Sequence, residues 1–467
     1  MVLRFQGVFE LHFKFNFNTI FDMKMIRSDS LKINSDPQQR KALSDTLLIY
    51  RRYVRDLMVL INARWRVFQH AEGNEMVRLV EALIHPTRYR PEVKHPYFQK
   101  NYYKFPSYLR RVAIMDAAGQ VRSFHTRYND WLDGSMKTMP PRLTVSTATY
   151  PSLYKGQCIK FSNDNNIAFI KVRYNNDWIW QGFRLSGTSR YLGKGKDMSP
   201  LLTVKGKQWS LSLPVKLDTP LKDNADFSGC VLAVDIGINT AATCAVVDKS
   251  GTVVHRVFLD RTDKDRTYHI MQRIRAKARK ATRHGNRLDT GFCSGHHRQL
   301  RNLSHNQAHQ ISRQVVDLAI QYQCDAIVLE DLKRWRPKAG KKRSVMKMRF
   351  HTWFKSALSD RIASKALEHG IRTLNVYARG TSSYAYDGSG KVSRDTDNYA
   401  NAKFASGKRY NADLNAAYNI ATRGIIKLYY PLLHKQQWSL GRPNACPTTG
   451  NPLVLSSLWL LTQQKAG

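Results

Sequence analysis

The stretch Val231-Leu232-Ala233-Val234-Asp235-Ile236-Gly237-Ile238-Asn239-Thr240 constrains this chain more than any other. Four apolar residues run straight into an acid, and a glycine follows one residue later. Such a run reads as a strand buried on both faces. An ionised carboxylate at its end is costly unless something pairs with it. Two readings are open. The acid caps a turn, or it faces a bound divalent cation. The rest of the chain bears on the choice, because it supplies two more acids in similar settings.

Charge narrows the partner. The chain carries 75 Lys and Arg against 35 Asp and Glu, a net +40 over 467 residues, spread over most of its length. A charge of that size repels itself and calls for an acidic partner. Nucleic acid is the leading candidate and a membrane surface the alternative. No apolar run approaches the ~20 residues of a spanning helix. The longest, Leu453 to Leu461, is short and interrupted by serines. Residues 1–18 alternate aromatics with polar residues and lack the apolar centre of a signal peptide. Cys158, Cys230, Cys244, Cys293, Cys324 and Cys446 are scattered with no CxxC pair, which fits a cytoplasmic protein with free thiols.

Taken in order, Phe9, Leu11, Phe13, Phe15 and Phe17 alternate with polar residues and predict an early strand. Asn34-Ser35-Asp36-Pro37 punctuates. From Ser44 the spacing of Leu47, Tyr50, Val54, Leu57, Ile61 and Trp65 predicts a long helix, with Arg51, Arg52 and Arg55 between the apolar positions. Next, Tyr97, Phe98, Tyr102, Tyr103, Phe105 and Tyr108 interleave with Lys94, Lys100, Lys104, Arg110 and Arg111. Interleaving of that kind serves phosphate contact with base stacking, or the rings are core. Ile167–Tyr174 and Trp178–Leu185 flank Asn175-Asn176-Asp177, and Leu201–Val204 and Trp209–Val215 flank Lys205-Gly206-Lys207. Two hairpins of a small barrel or folded sheet are expected there.

Beyond Cys230 the strand ending in Asp235 is followed by Ala241–Val247 and Thr252–Leu259, a meander. The segment 267–287 is intensely basic, with Arg273, Arg275, Lys277, Arg279, Lys280, Arg283 and Arg287. It reads as a solvated face or, in so cationic a chain, a phosphate-tracking helix. Asn306–Gln321 predicts an amphipathic helix. Asp325-Ala326-Ile327-Val328-Leu329-Glu330 is a second buried strand ending in an acid. Thr352–His369 predicts a helix, Ile371–Tyr377 a strand, and Asp413–Ala421 a helix with an acid at its start.

Asp235, Glu330 and Asp413 lie far apart in sequence, so only a fold brings them together. Three strands, a helix, a strand, a helix, a strand and a final helix is the order of the RNase H-like fold. There the first and fourth strands are neighbours and the last helix crosses their acid-bearing ends. Converging carboxylates repel, and hard divalent cations with oxygen ligands, Mg²⁺ above all, remove the repulsion. Two such ions ~3.5–4 Å apart activate a water and stabilise the leaving oxygen of a phosphodiester.

The pieces VLAVDIGINTAA, AIVLEDL and NADLNAAYNIA resemble the three split RuvC motifs of TnpB, the transposon-encoded nuclease, and of the related compact type V CRISPR effectors. The resemblance covers about Cys230 to Ile425. It implies that Asp235, Glu330 and Asp413 are metal-binding catalytic acids holding two Mg²⁺ ions. It implies a guide RNA from a transposon or CRISPR transcript, and a DNA target beside a short flanking motif. The architecture it implies is multidomain α/β: a split wedge β-barrel (1–35 and 141–225) interrupted by a helical recognition domain (36–140), and a RuvC-like nuclease domain (226–378). A ribbon-like insert (379–411), the third-motif helix (412–430) and a C-terminal tail (431–467) complete it. Candidate nucleic-acid contacts are Arg51, Arg52, Arg55, Tyr102, Tyr103, Lys104, Arg110, Arg111, Arg273, Arg275, Lys277, Arg279, Lys280 and Arg283.

One departure stands out. These families carry a zinc ribbon of two CxxC pairs between the second and third motifs. Here Thr381-Ser382 matches its lead-in, but the slots hold Ala385, Gly388, Lys403 and Ser406. No zinc is expected where thiolates are absent. Two outcomes are open for this segment: Tyr384, Tyr386, Tyr399 and Phe404 keep the ribbon's shape, or it is partly disordered. Competing readings are an actin-like ATPase, which lacks its second Asp-x-Gly loop here, an RNA-guided DNA binder that does not cut, and a junction resolvase, which lacks so large an N-terminal half.

Overall fold

Residues 23–135, 139–238, 240–332, 355–395, 398, 400–439, 445–446 and 450–466 are described in a computed structural model of the chain. The strand expected at Phe9–Phe17 lies outside them. The chain divides into two compact units, Lys24–Asp218 and Thr219–Gly467, apart from a short N-terminal stretch.

In the first unit β1 (Met23–Asn34) leads into helices α1 (Pro37–Ala63), α2 (Gly73–Ile84) and α3 (Ser107–Leu132). The strands β2 (Ile159–Phe161), β3 (Ile167–Tyr174), β4 (Asp177–Ser186), β5 (Lys196–Asp197), β6 (Leu201–Lys205) and β7 (Gln208–Thr219) follow. They form one sheet in the order β2-β3-β4-β1-β7-β5, with β6 on β7. Lys32, Ile33 and Asn34 of β1 pair with Ser186, Leu185 and Arg184 of β4, so the helices are inserted into a sheet whose strands come from both sides of them. Both predicted hairpins form. Asn175 and Asn176 take positive φ, 45° and 65°, the left-handed pair that a two-residue hairpin turn requires.

Helix α1 begins at Pro37, before Ser44. Asp36 accepts from the Gln39 N–H at 2.7 Å, and the Gln39 side chain accepts from the Asp36 N–H at 3.1 Å. With proline at the first turn this is a capping box, so the punctuation at Asn34–Pro37 was a start signal. Leu43, Tyr50, Val54 and Leu57 of α1, Leu109 and Ile114 of α3, and Ala168, Ile170 and Phe183 of the sheet share one continuous core.

The second unit is built on β8 (Cys230–Asp235), β9 (Ala242–Asp248), β10 (Val253–Leu259), β11 (Ala326–Glu330) and β12 (Arg372–Val376), ordered β10-β9-β8-β11-β12. Between them lie α4 (Lys264–Ala281), α5 (Ser294–Gln321) and α6 (Lys355–Glu368). A small sheet of β13 (Ser393–Arg394), β14 (Asn401–Lys403) and β15 (Arg409–Asn411) precedes α7 (Ala412–Tyr429) and, after a short helix, α8 (Leu455–Ala466). β8 and β9 are antiparallel, whereas β11 is parallel to β8 and to β12.

The period of two divides the central strands between two cores. Leu232, Val234, Ile327 and Leu329 meet residues of α5 and α6 on one face. Val231, Ala233, Ala326 and Val328 meet Leu414, Ala417, Ile420 and Ala421 of α7 on the other. Leu453, Leu455, Leu458 and Leu461 join that second core, so the segment expected as a tail supplies part of the interior. At the start of β11 the Asp325 carboxylate is fully enclosed. It accepts from the Ser228 and Gly229 N–H groups (2.9 and 2.7 Å) and from the Tyr429 hydroxyl (2.7 Å), and it pairs with Lys222 at 2.5 Å.

Helix α7 approaches the sheet where it has no side chain. A Cβ on Gly424 would sit 2.3 Å from Val328 Cγ2, far inside contact distance. Gly424→Ala should therefore cost about 1–3 kcal/mol of unfolding free energy by overpacking. Adding Val328→Ala should recover part of the loss, because the clash is with the Val328 methyls. Urea unfolding of the two variants measures both effects, and an equal loss in both would place the cost elsewhere.

Candidate functional site

Parallel pairing runs in register from Ala326 opposite Val231 to Leu329 opposite Val234. The next pair is Glu330 beside Asp235, on strands ~4.8 Å apart. Asp235 lies two residues after Ala233, and Glu330 two after Val328, so both acids fall on the α7 face of the sheet. Asp413 is the second residue of α7. The helix is capped by Asn411, whose Oδ1 accepts from the N–H groups of Asp413 and Leu414, 3.0 Å each. That cap fixes where Asp413 stands, in the first turn where the helix dipole favours an anion.

The structure thus brings the three predicted acids into one electrostatic neighbourhood. Each keeps part of its surface open, yet protein crowds all three. Burial pushes the Asp235 carboxyl well above the usual range, and the charges of Glu330 and Asp413 push it further, with Arg394 opposing. Burial also raises Glu330, against the Thr381 hydrogen bond and the Arg423 charge, and it raises Asp413 against Arg394. The donors are oxygens only, a set that suits hard cations. Among the described residues, however, no three His, Cys, Asp or Glu side chains come together closely enough to ligate one ion. Glu330 has another engagement that bears on this: it accepts a hydrogen bond from Thr381 Oγ1.

Residues that pattern reading missed hold the surroundings. Asn415 and Asn419, one turn apart on α7, are fully buried. Asn415 accepts from the Tyr386 N–H at 2.8 Å, and its amide and that of Asn419 both donate to the Tyr384 carbonyl at 2.9 Å. Asn419 also donates to the Thr381 carbonyl. Arg423, 5% exposed, donates to the carbonyls of Tyr377 and Arg379. Burial pushes its guanidinium down to about 10, with Glu330 opposing. The signal was available: Asn415, Asn419 and Arg423 recur every four residues among the apolar positions of the helix.

The cysteine-less insert has a core of its own, made by Ala385, Ala402, Phe404 and Ala412, with Tyr386, Val392 and Tyr410 against it. Of the four ribbon slots, Ala385 sits in that core, and Gly388 lies where a Cβ would come within 2.7 Å of Ser456 Oγ. Lys403 pairs with Ser393 across the small sheet, and Ser406 donates to Asp387 at 3.1 Å. Lys408 lies over the rings of Tyr386 and Tyr410 at 5.0 and 5.2 Å. Tyr399 lies outside the described residues.

The candidate nucleic-acid contacts separate into two groups. Tyr102 is corrected: it is 3% exposed, its hydroxyl bonds Asp56, and it packs with Tyr53, Phe98 and Phe105, so its ring has no free face. Arg110 is tied to Glu81 at 2.9 Å with its side chain 11% exposed. Arg51 donates to the carbonyls of Thr147 and Thr149 and lies over Tyr150. Arg52, Arg55, Tyr103, Lys104 and Arg111 remain on the surface. On α4, Arg273, Lys277, Arg279 and Lys280 are exposed and Arg275 half-buried, while Arg283 is exposed just beyond its end. That helix is anchored by a narrow strip, Ile270 and Met271 against Leu300.

Three comparisons bear on these features. The Aq_aa04 family matches residues 27–174. Among curated proteins nothing matches the sequence. In structure the chain is similar to Cas12f1 in a Cas12f1-sgRNA-target DNA complex, with a TM-score of 0.52 at 15% identity over 82% of this chain and 81% of that one. Weaker likenesses are to the mini-RNA-guided endonuclease CRISPR-Cas phi3 (TM-score 0.44, 10% identity, 88% and 92% covered) and to Alicyclobacillus acidoterrestris C2c1 with single-guide RNA (0.41, 11%, 81% and 70%). The likeness to Cas12f1 shows a common multidomain α/β fold. Among the described residues no helix is long and apolar enough to cross a membrane.

Proposed function

We propose that this chain is an RNA-guided DNA endonuclease with a RuvC-like, RNase H-like nuclease site. The observation that carries the reading is the meeting of Asp235, Glu330 and Asp413 on one face of the β10-β9-β8-β11-β12 sheet. A net charge of +40 and the Cas12f1-like fold, seen there with sgRNA and target DNA, support guide RNA and target DNA as partners. Asp235, Glu330 and Asp413 would hold two Mg²⁺ ions, which when bound supply a polarised water and charge stabilisation at the leaving oxygen of a phosphodiester. The chain's own part is placement. β8 and β11 set two carboxylates side by side, the Asn411 cap sets the third, and Thr381 holds Glu330 within reach of the Arg423 charge. The TnpB and type V resemblance, the flanking motif, and the wedge and recognition roles of the first unit belong to this same reading.

A second reading keeps the guide RNA and the DNA but not the cut. It is favoured by one observation, that no three described ligands cluster tightly enough for a single ion. The two readings separate on the acids. Asp235→Ala, Glu330→Ala and Asp413→Ala should each abolish cleavage in Mg²⁺ while leaving RNA and target binding within about twofold, because affinity is spread over many Lys and Arg contacts. Wild-type cutting by any one variant would remove that acid from the site.

The guide is tested by sequencing. Expressed beside its native locus, the protein should co-purify with one dominant small RNA from next to its own gene or from a nearby array. Reprogramming the guide end should redirect cleavage to a matching DNA. A heterogeneous mixture of cellular RNAs would refute the guided mechanism.

Zinc has no part in the proposal, since the ribbon slots hold no thiolate. Elemental analysis of the purified chain should find far less than one zinc per molecule, and stoichiometric zinc would reveal a site built from other ligands.

A further inference from the structure

The outward face of the β2-β3-β4 hairpins carries aromatic rings that the core does not use. Along β3 the buried residues Ala168, Ile170 and Val172 alternate with Phe169 and Lys171 on the outer side. Register places Lys160 opposite Phe169, Phe169 opposite Gly182, and Lys171 opposite Trp180, so these five residues form one contiguous outer patch. Phe169 is 42% exposed and Trp180 40% exposed in the whole chain. Gly182 makes room for the first ring, for a Cβ there would stand 3.3 Å from Phe169 Cε1. The second ring is attended by two ammonium groups, Lys160 at 5.0 Å and Lys171 at 6.0 Å from its centroid.

Charge on the patch has one sign. Arg184, exposed on the same face, pairs in register with Ile167 and with Asn34. Among the described residues Lys160, Lys171 and Arg184 make no ion pair. The nearest acids along these strands have other engagements: Asp164 with Ser162 and Asn166, and Asp177 with Lys104 and the Trp178 N–H. Two open rings beside cations that close no ion pair, Lys171 lying only within electrostatic reach of Asp177, are the complement of a base with its flanking phosphates. An acidic protein surface would use the cations but leave the rings idle.

We propose that Trp180 and Phe169 are a stacking platform for unpaired nucleotides of single-stranded RNA, with Lys160, Lys171 and Arg184 on the adjoining phosphates. The proposal rests on the reading that the chain holds a guide RNA, which is the strand in that mechanism that stays with the protein and has unpaired stretches. A lysine over an exposed ring is held by only about 0.5–1 kcal/mol. A stacked base contributes about 1–3 kcal/mol. The base therefore takes the Trp180 face, and the displaced ammonium moves to a phosphate without a net loss of contact. Helical RNA, whose bases face one another, cannot use the rings.

The test uses the full chain without Mg²⁺, and a short oligouridylate, the oligodeoxyuridylate of equal length and a blunt DNA duplex as probes. Trp180→Ala should weaken oligouridylate binding about 10-fold, in the lower half of the range for one stacked base. It should leave the duplex unchanged, and Trp180→Phe should restore most of the loss. Lys160→Gln with Lys171→Gln should lower the salt dependence of oligouridylate binding. Equal oligouridylate affinity in wild type and Trp180→Ala would overturn the platform, even if a single locus-derived RNA still co-purifies and the guided reading stands. A 10-fold loss without any locus-derived RNA would uphold the platform and sink the guided reading. The oligodeoxyuridylate should lose about as much, because stacking reads the base and not the sugar, and an unchanged deoxy affinity would overturn the stacking account.

Discussion

The in-register parallel pairing of β8 with β11 is what the candidate site depends on. With a period of two, it sends Asp235 and Glu330 to the same face. A slip of one residue would move one of them to the α5 and α6 side, among Leu232, Val234, Ile327 and Leu329. The register is held because both faces of these strands are buried, so any slip would cost two cores at once. Helix α7 then brings the third acid, and it sits close because Gly424 yields the space that Val328 fills.

The two ends of β11 solve the problem of a buried acid in opposite ways. At its start, burial opposes the Asp325 charge, but Lys222, Tyr429 and two backbone N–H groups overcome it and hold the carboxyl below its ordinary range. At its end, Asp235 and Glu330 receive too little help from Arg394, Thr381 and Arg423 to offset desolvation and mutual repulsion. The fold can plainly neutralise a carboxylate where structure alone is at stake. At the other end it leaves the acids partly open and short of cations.

Much of the second unit was legible because its strands are short apolar runs with an acid as an end mark, and its helices follow the 3.6 period. The three acids were legible for the same reason. What escaped reading lay in residues whose role is set by contacts distant in sequence. Tyr102 looked like a stacking residue because rings interleaved with lysines look alike in core and on a surface, and only the packing of Tyr53, Phe98 and Phe105 distinguishes them. Asn415, Asn419 and Arg423 were unread because their partners are backbone carbonyls and N–H groups, which carry no sequence signature. Leu453 to Leu461 is too short to announce itself, yet it enters the core beside α7. The start of α1 was mistaken by passing over Asp36 and Gln39, which cap it.

The amides of Asn415 and Asn419 have a consequence for how the second unit opens. They bind the insert to the same helix that carries Asp413, and Ala412, the residue before that acid, belongs to the insert's small core. The insert and the beginning of α7 therefore form one cooperative element and cannot loosen separately. A fluctuation that frees the insert also unseats Asp413, and a ligand that steadies the three acids stiffens the loop sheet, whose Arg394 already feels the charge of Asp235 and Asp413. A metal-bound ribbon would give such an insert an anchor of its own. Here its rigidity is borrowed from the helix, so the order of the insert and the geometry of the acids rise and fall together.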